Sequence, residues 1–146
     1  MGKIYKHPDV KLMAGFIFND ENAQRNLQRA ISRKFGKVDF ESDIMDFSQT
    51  DYYRGEMGPA LKRKFISFLR LAPIDKTQKI KIYTNKLENK YRRGENRSVN
   101  IDPGYVTASK LVLFTTKNHQ HRIYVGNGVY AEVTLRFQGG SFRAYE

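Results

Sequence analysis

Cysteine is absent from this sequence, which excludes disulfides, thiolate zinc sites and cysteine nucleophiles together. Long apolar runs are absent too. None approaches the roughly eighteen residues that a membrane-spanning helix requires, so no membrane partner is expected. The N-terminal stretch MGKIYKHPDV is charged and has no apolar h-region, so it does not read as a secretory signal, and a cytoplasmic location is expected. Acidic residues are scarce as well: 15 Asp and Glu stand against 26 Lys and Arg, a net charge of +11.

What is present suits a folded domain. The 146 residues are 40% hydrophobic and 13% aromatic, which argues against disorder and leaves one domain, 1–146, with one core. Charge is unevenly spread. Residues 39–56 carry six acids against Arg54 alone, whereas residues 62–97 carry twelve bases against Asp75, Glu88 and Glu95. That asymmetry has two readings. Clustered positive charge steers and neutralises an anionic partner such as a nucleotide or RNA phosphate. Alternatively, the acidic segment lies beside the basic one and compensates it.

Patterning predicts the elements. VKLMAGFIF (10–18) reads as a strand buried on both faces. Asn19 or Asp20 then caps a helix with Ala23, Leu27, Ala30, Ile31 and Phe35 on one stripe and Gly36 as its stop. KVDFESDIMDF (37–47) alternates, with a parity shift at Ile44–Met45 that predicts a bend. A loop, SQTDYYRGEMGP, leads to a strand at KRKFISFLRL (62–71), and Ile80, Tyr83, Thr84, Leu87 and Tyr91 give a second helical stripe. RSVNID is a short strand, and the following Asp102-Pro103-Gly104 suits a type II turn. The order to that point, βαββαβ, predicts an α+β, ferredoxin-like core. Residues 107–117 have strand-like composition, but Thr107 can cap a short helix, and the helical reading is preferred. HRIYVGNGVYAEVTLRF is a hairpin. A three-residue Gly126-Asn127-Gly128 loop sets Val125 opposite Val129 and Ile123 opposite Ala131, which separates the apolar and polar faces. Gly139-Gly140 turns the chain into a last strand, so a C-terminal hairpin sheet extends the core.

Motifs with known chemistry mostly fail on context. Neither Gly-Lys pair completes a phosphate loop, and GNGVYA lies in a hairpin with no helix after it. LKRKFISF echoes an RNA-recognition motif but has Arg63 where the first stacking aromatic belongs. His119 and His121 form the one metal-like pair, and with no third ligand no metal is assigned. A polar constellation is left. The hairpin puts Arg122, Tyr124, Tyr130 and Glu132 on one face, as cross-strand pairs or as an anion site with Glu132 or Asp102 as general base and Lys110 as a clamp. The loop around Tyr53 adds polar aromatic residues of a functional kind.

In TDYYRGEMG, FISF, TNKLE, NIDPGY, HRIY and GVYAEVTL the chain resembles the domain of unknown function 4416 family, an uncharacterised prokaryotic group, from Val10 to the end. Members have been labelled GTP-binding proteins, a label that the missing phosphate loop does not support here. The resemblance also implies an aromatic-rich tail beyond Glu146, so that a strand or lid over the site could be missing. It carries no catalytic residues across.

The expectation is therefore a protein that binds an anionic ligand, a nucleotide or RNA phosphate. Lys62, Arg63, Lys64, Arg92, Arg93 and Arg97 form the basic surface, beside a pocket of Tyr53, Asp102, Tyr105, Lys110, Arg122, Tyr124 and Glu132. The alternatives are a small enzyme on a phosphorylated or nucleotide substrate, with Asp102 or Glu132 as base, and a non-catalytic assembly partner. No cofactor and no oligomeric state is assigned.

Overall fold

The computed structural model describes residues 1–145, and its organising element is the strand β1 (Lys11–Phe18). Alternation sends Leu12, Ala14, Phe16 and Phe18 to one face and Met13, Gly15 and Ile17 to the other. The first set joins the main core; Ile17 joins a smaller one with Phe47, Met57 and Leu61. Burial on both faces is what the unbroken apolar run predicts.

Helix α1 (Glu21–Phe35) begins where Asp20 Oδ1 accepts the Ala23 N–H at 3.1 Å, and ends at Gly36, whose φ of 106° favours a residue without Cβ. It lays Leu27, Ala30 and Ile31 on β1. β2 (Val38–Glu41) and β3 (Met45–Asp46) are separated at the predicted bend, and a short helix α2 (Arg54–Met57) lies in the following loop. β4 (Lys62–Phe68) comes next, and α3 (Lys79–Lys90) packs Ile80 and Leu87 onto the same face as α1. β5 (Val99–Val106), β6 (Lys110–Thr115), β7 (Ile123–Gly126), β8 (Val129–Gln138) and β9 (Ser141–Ala144) complete the chain.

All nine strands form one antiparallel sheet in the order β2-β4-β1-β5-β6-β8-β7, with β3 also along β4 and β9 along β8. The fold is thus a mixed helix and strand structure. Phe16, Phe18 and Phe68 are fully buried between sheet and helices, and truncating any one to Ala would cost roughly 3–5 kcal/mol.

Three sequence expectations are corrected. Residues 107–117 are not helical: β6 occupies Lys110–Thr115 because Val112 and Phe114 fill the core between β5 and β8. Thr107 still caps, but it caps a turn, its Oγ1 accepting from the Ser109 and Lys110 N–H groups at 3.2 Å. Asp102-Pro103-Gly104 is not a turn either. β5 runs straight through it, and Gly104 lacks the positive φ of a type II turn. Glycine is needed there for closeness: a Cβ would lie 2.0 Å from the Val112 carbonyl oxygen. Finally, the hairpin closes through Asn127 (φ 55°) and Gly128 (φ 75°), with Gly126 opposite Val129. Ile123 still faces Ala131 and Tyr124 faces Tyr130, since a bulge at Val125 restores the register.

Candidate functional site

β5 and β6 are laddered only where Gly104, Tyr105 and Val106 meet Leu113, Val112 and Leu111. Toward Val99 they part, and the reason lies in three residues. The Ile101 N–H donates to Glu88 Oε1 at 2.6 Å, and the Ile101 carbonyl accepts from Lys81 Nζ at 3.2 Å. Two side chains of α3, seven residues apart, thus take the place of a strand partner. Backbone groups of alternate residues point the same way, so Pro103 presents its edge to the same side and has no N–H to satisfy. The sheet can fork there without orphaning a donor.

The fork opens a cavity of about 520 Å³. Lys81, Asn85 and Glu88 of α3 form its floor, and Asn100 and Asp102 of β5 form one wall. The opposite wall runs from Leu113 to Lys117 and includes Arg122 and Glu132, while Tyr52, Tyr53 and Glu56 close the end. Arg92 and Arg97 stand at the α3–β5 connection. The volume lies in the general range of small-molecule pockets.

Arg97 ties these walls together. Its Nε and Nη2 grip Glu56 through both carboxylate oxygens at 3.0 Å, and its Nη1 reaches Glu88 at 3.1 Å and Asn100 at 2.9 Å. The Arg97 N–H also donates to Glu56 at 2.8 Å. These bonds hold the Glu56 carboxyl below the usual range, whereas burial pushes Glu88 up, against the neighbouring Lys81 and Arg97 charges. Tyr53 is pushed up to about 12, first by burial and then by the charge of Asp102, so it stays a hydroxyl at neutral pH. Glu132 takes Arg122 Nε at 3.1 Å and His121 Nε2 at 2.6 Å. Asp102 accepts from Asn100 Nδ2 at 3.1 Å and forms no ion pair among the described residues.

Six of the residues singled out from sequence, Tyr53, Arg92, Arg97, Asp102, Arg122 and Glu132, share this cavity. Others lie elsewhere. Tyr105 faces the main core against Phe114, ring centroids 5.8 Å apart. Lys110 is remote because the antiparallel register would bring Asp102 level with Thr115, not with Lys110. Tyr124 is exposed, packs on Tyr130 and accepts the Gly128 N–H. The basic strand lies beside acids: Lys62 binds Asp46 at 2.5 Å and Lys64 binds Glu41 at 3.0 Å. Arg63 stacks between Phe47 and Phe65, and Arg93 pairs with Asp20. No helix of the described residues is long and apolar enough to cross a membrane.

Residues 8–146 match the family model described as Domain of unknown function (DUF4416). The chain belongs to the DUF4416 family. No curated protein and no solved structure matches it. In this DUF4416 chain, pattern reading passed over Lys81, Asn85, Glu88 and Lys117. The available signal was the pair Lys81 and Glu88, charges that flank the Ile80–Thr84–Leu87 stripe and therefore face inward.

Proposed function

We propose that this DUF4416 protein binds a small anionic molecule, a nucleotide or another phosphorylated compound, in the cleft at the β5–β6 fork. The observation that carries the reading is the convergence of polar side chains from five separate segments on one cavity of about 520 Å³. Arg92 forms no ion pair among the described residues, so its charge is available to a ligand. Arg122 is held in place by Glu132 and the Lys117 carbonyl. Tyr52 and Tyr53 offer aromatic faces and hydroxyls, and three asparagines offer neutral hydrogen bonds. A small ligand is favoured over an RNA strand, because the β4 lysines that would track a backbone are engaged by Asp46 and Glu41.

A second reading has its own support. Among the described residues Asp102 is the cleft carboxylate that forms no ion pair, which leaves its oxygens open to take a substrate proton. On that reading Asp102→Asn abolishes turnover of a phosphorylated substrate while leaving the melting temperature unchanged. The order β2-β4-β1-β5, with α1 and α3 on one face, supports a ferredoxin-like core for the first half of the chain.

The test is a thermal-shift screen of nucleotides, sugar phosphates and short RNAs, followed by calorimetry. The reading expects a small phosphorylated compound to raise Tm, and Arg92→Ala and Arg122→Ala each to weaken its binding by about tenfold. A screen in which no anion raises Tm overturns it.

A further inference from the structure

A second pocket, of about 250 Å³, adjoins the cleft on the face of the sheet opposite α1 and α3. Asp102 and Leu113 line both, so the two compartments share a wall. The second is apolar in character, with Met13, Ile17, Phe65, Leu111 and Leu135 around it. Strands β1 and β8 both contribute, although they stand three places apart in the sheet, roughly 14 Å in a flat one. The sheet therefore curls around this space.

Two details mark it as more than a gap in packing. Thr134 and Leu135 are consecutive, yet both line the pocket, which regular alternation forbids. The ladder explains this: Leu111 faces Leu135 and Val112 faces Val133, so Thr134 is the extra residue of a bulge that re-aims its side chain. Moreover, Thr134 Oγ1 and Arg63 Nε are buried without a hydrogen-bond partner among the described residues. Both residues line this pocket. An unpaired buried donor is costly, and two in the lining of one cavity are groups that a ligand's acceptors satisfy once the side chains covering them shift aside.

We propose that cleft and pocket are two halves of one ligand site, the pocket taking an aromatic heterocycle with acceptor atoms on its edge and the cleft taking the attached anionic group. This rests on the anion-binding reading above and narrows its ligand class to nucleotide-like molecules. A plain acyl chain would fill the pocket but leave the Arg63 and Thr134 donors unmet, whereas a ring with carbonyl or ring-nitrogen acceptors meets them. The Gly15 position on the pocket floor fits the same picture. A Cβ there would come to 3.0 Å from Phe65 Cε1 and would take space from the ring.

The experiment compares the four ribonucleoside 5′-monophosphates with ribose 5-phosphate by calorimetry on the full chain. At least one nucleotide should bind about tenfold more tightly than ribose 5-phosphate. Thr134→Val keeps the shape and removes the hydroxyl; it should weaken that nucleotide by about fivefold and leave ribose 5-phosphate unchanged. Leu135→Trp, which fills the pocket, should erase the preference. Equal binding of nucleotide and sugar phosphate overturns the proposal but spares the anion site, and so does an equal loss of both in the variants. A dimer that dissociates in Leu135→Trp, without nucleotide preference, assigns the pocket to a second copy and also overturns it. If neither compound binds, the anion reading itself fails and this one falls with it.

Discussion

Arg97 illustrates how one side chain can be read from sequence as a ligand contact and be spent on the fold. Its guanidinium fork matches the Glu56 carboxylate, and its remaining donor reaches the buried Glu88. Arg97→Ala should cost roughly 3 kcal/mol in chemical denaturation, because Glu56 would lose its cation and the buried Glu88 one of its two neighbouring charges, with Lys81 remaining. Arg97→Lys should recover less than half of that, since an ammonium cannot hold both Glu56 oxygens. Glu56 and Glu88 also respond to pH with opposite sign. Glu56 is lowered by Arg97, so its contribution is present above the ordinary 4.5 and is lost as pH falls through the lowered value. Glu88 is raised by burial, so its contribution is present below 4.5 and is lost as pH rises through the raised value. Melting temperatures followed from about pH 3 to about pH 7 should therefore fall less on the acid side in Glu56→Gln than in the wild type. An unchanged acid limb would show that Arg97 does not govern Glu56.

Among the elements, β5 decides the site. Pro103 looked like punctuation, and a strand edge with no partner can accept it where a central ladder cannot. The next residue, Gly104, lets β6 approach to within contact of the backbone before the two strands part. Gly104→Ala should therefore cost more than about 3 kcal/mol or prevent folding, since backbone and not a movable side chain is in the way. Gly55→Ala is the matching control. Nothing lies within 4 Å of its Cβ and it sits in a helix, so stability should hold or rise by up to about 1 kcal/mol. Equal effects at the two glycines would remove the close approach as an explanation of the fork.

Over the whole molecule, the excess charge is arranged so that the acidic and basic halves of the middle sequence lie side by side. Lys62 with Asp46, Lys64 with Glu41 and Lys11 with Asp39 join β4 and β1 to the acidic strands. Each of those carboxyls is held low, first by the hydrogen bond from its lysine. Binding of a small phosphate in the cleft should then depend weakly on salt. Between about 50 and about 200 mM it should lose roughly tenfold or less, against several-hundredfold for a single strand neutralised by six bases. A steep slope would move the anion site out of the cleft and onto the basic surface.

Local chemistry was enough for the elements whose partners are near in sequence. A cap at Asn19 or Asp20, the Gly36 stop, the stripe of α1 and the buried β1 follow from spacing and side-chain type, and so does the pairing of Ile123 with Ala131, though not the loop expected to set it. Tyr53, Asp102, Arg122 and Glu132 were visible as candidates because polar groups stood at strand ends and in a loop. What the sequence by itself could not decide was which edges would pair. Residues 107–117 have a strand's composition as well as a helix cap at Thr107, and the backbone partners that β5 and β8 offer on both sides decided between the two. For the same reason Lys81 and Glu88, whose place beside the α3 stripe is visible in the spacing, have no legible task until the fork of β5 and β6 leaves Ile101 needing a donor and an acceptor. Only the tertiary structure could supply that need, because an unpaired strand edge exists only after the sheet has formed.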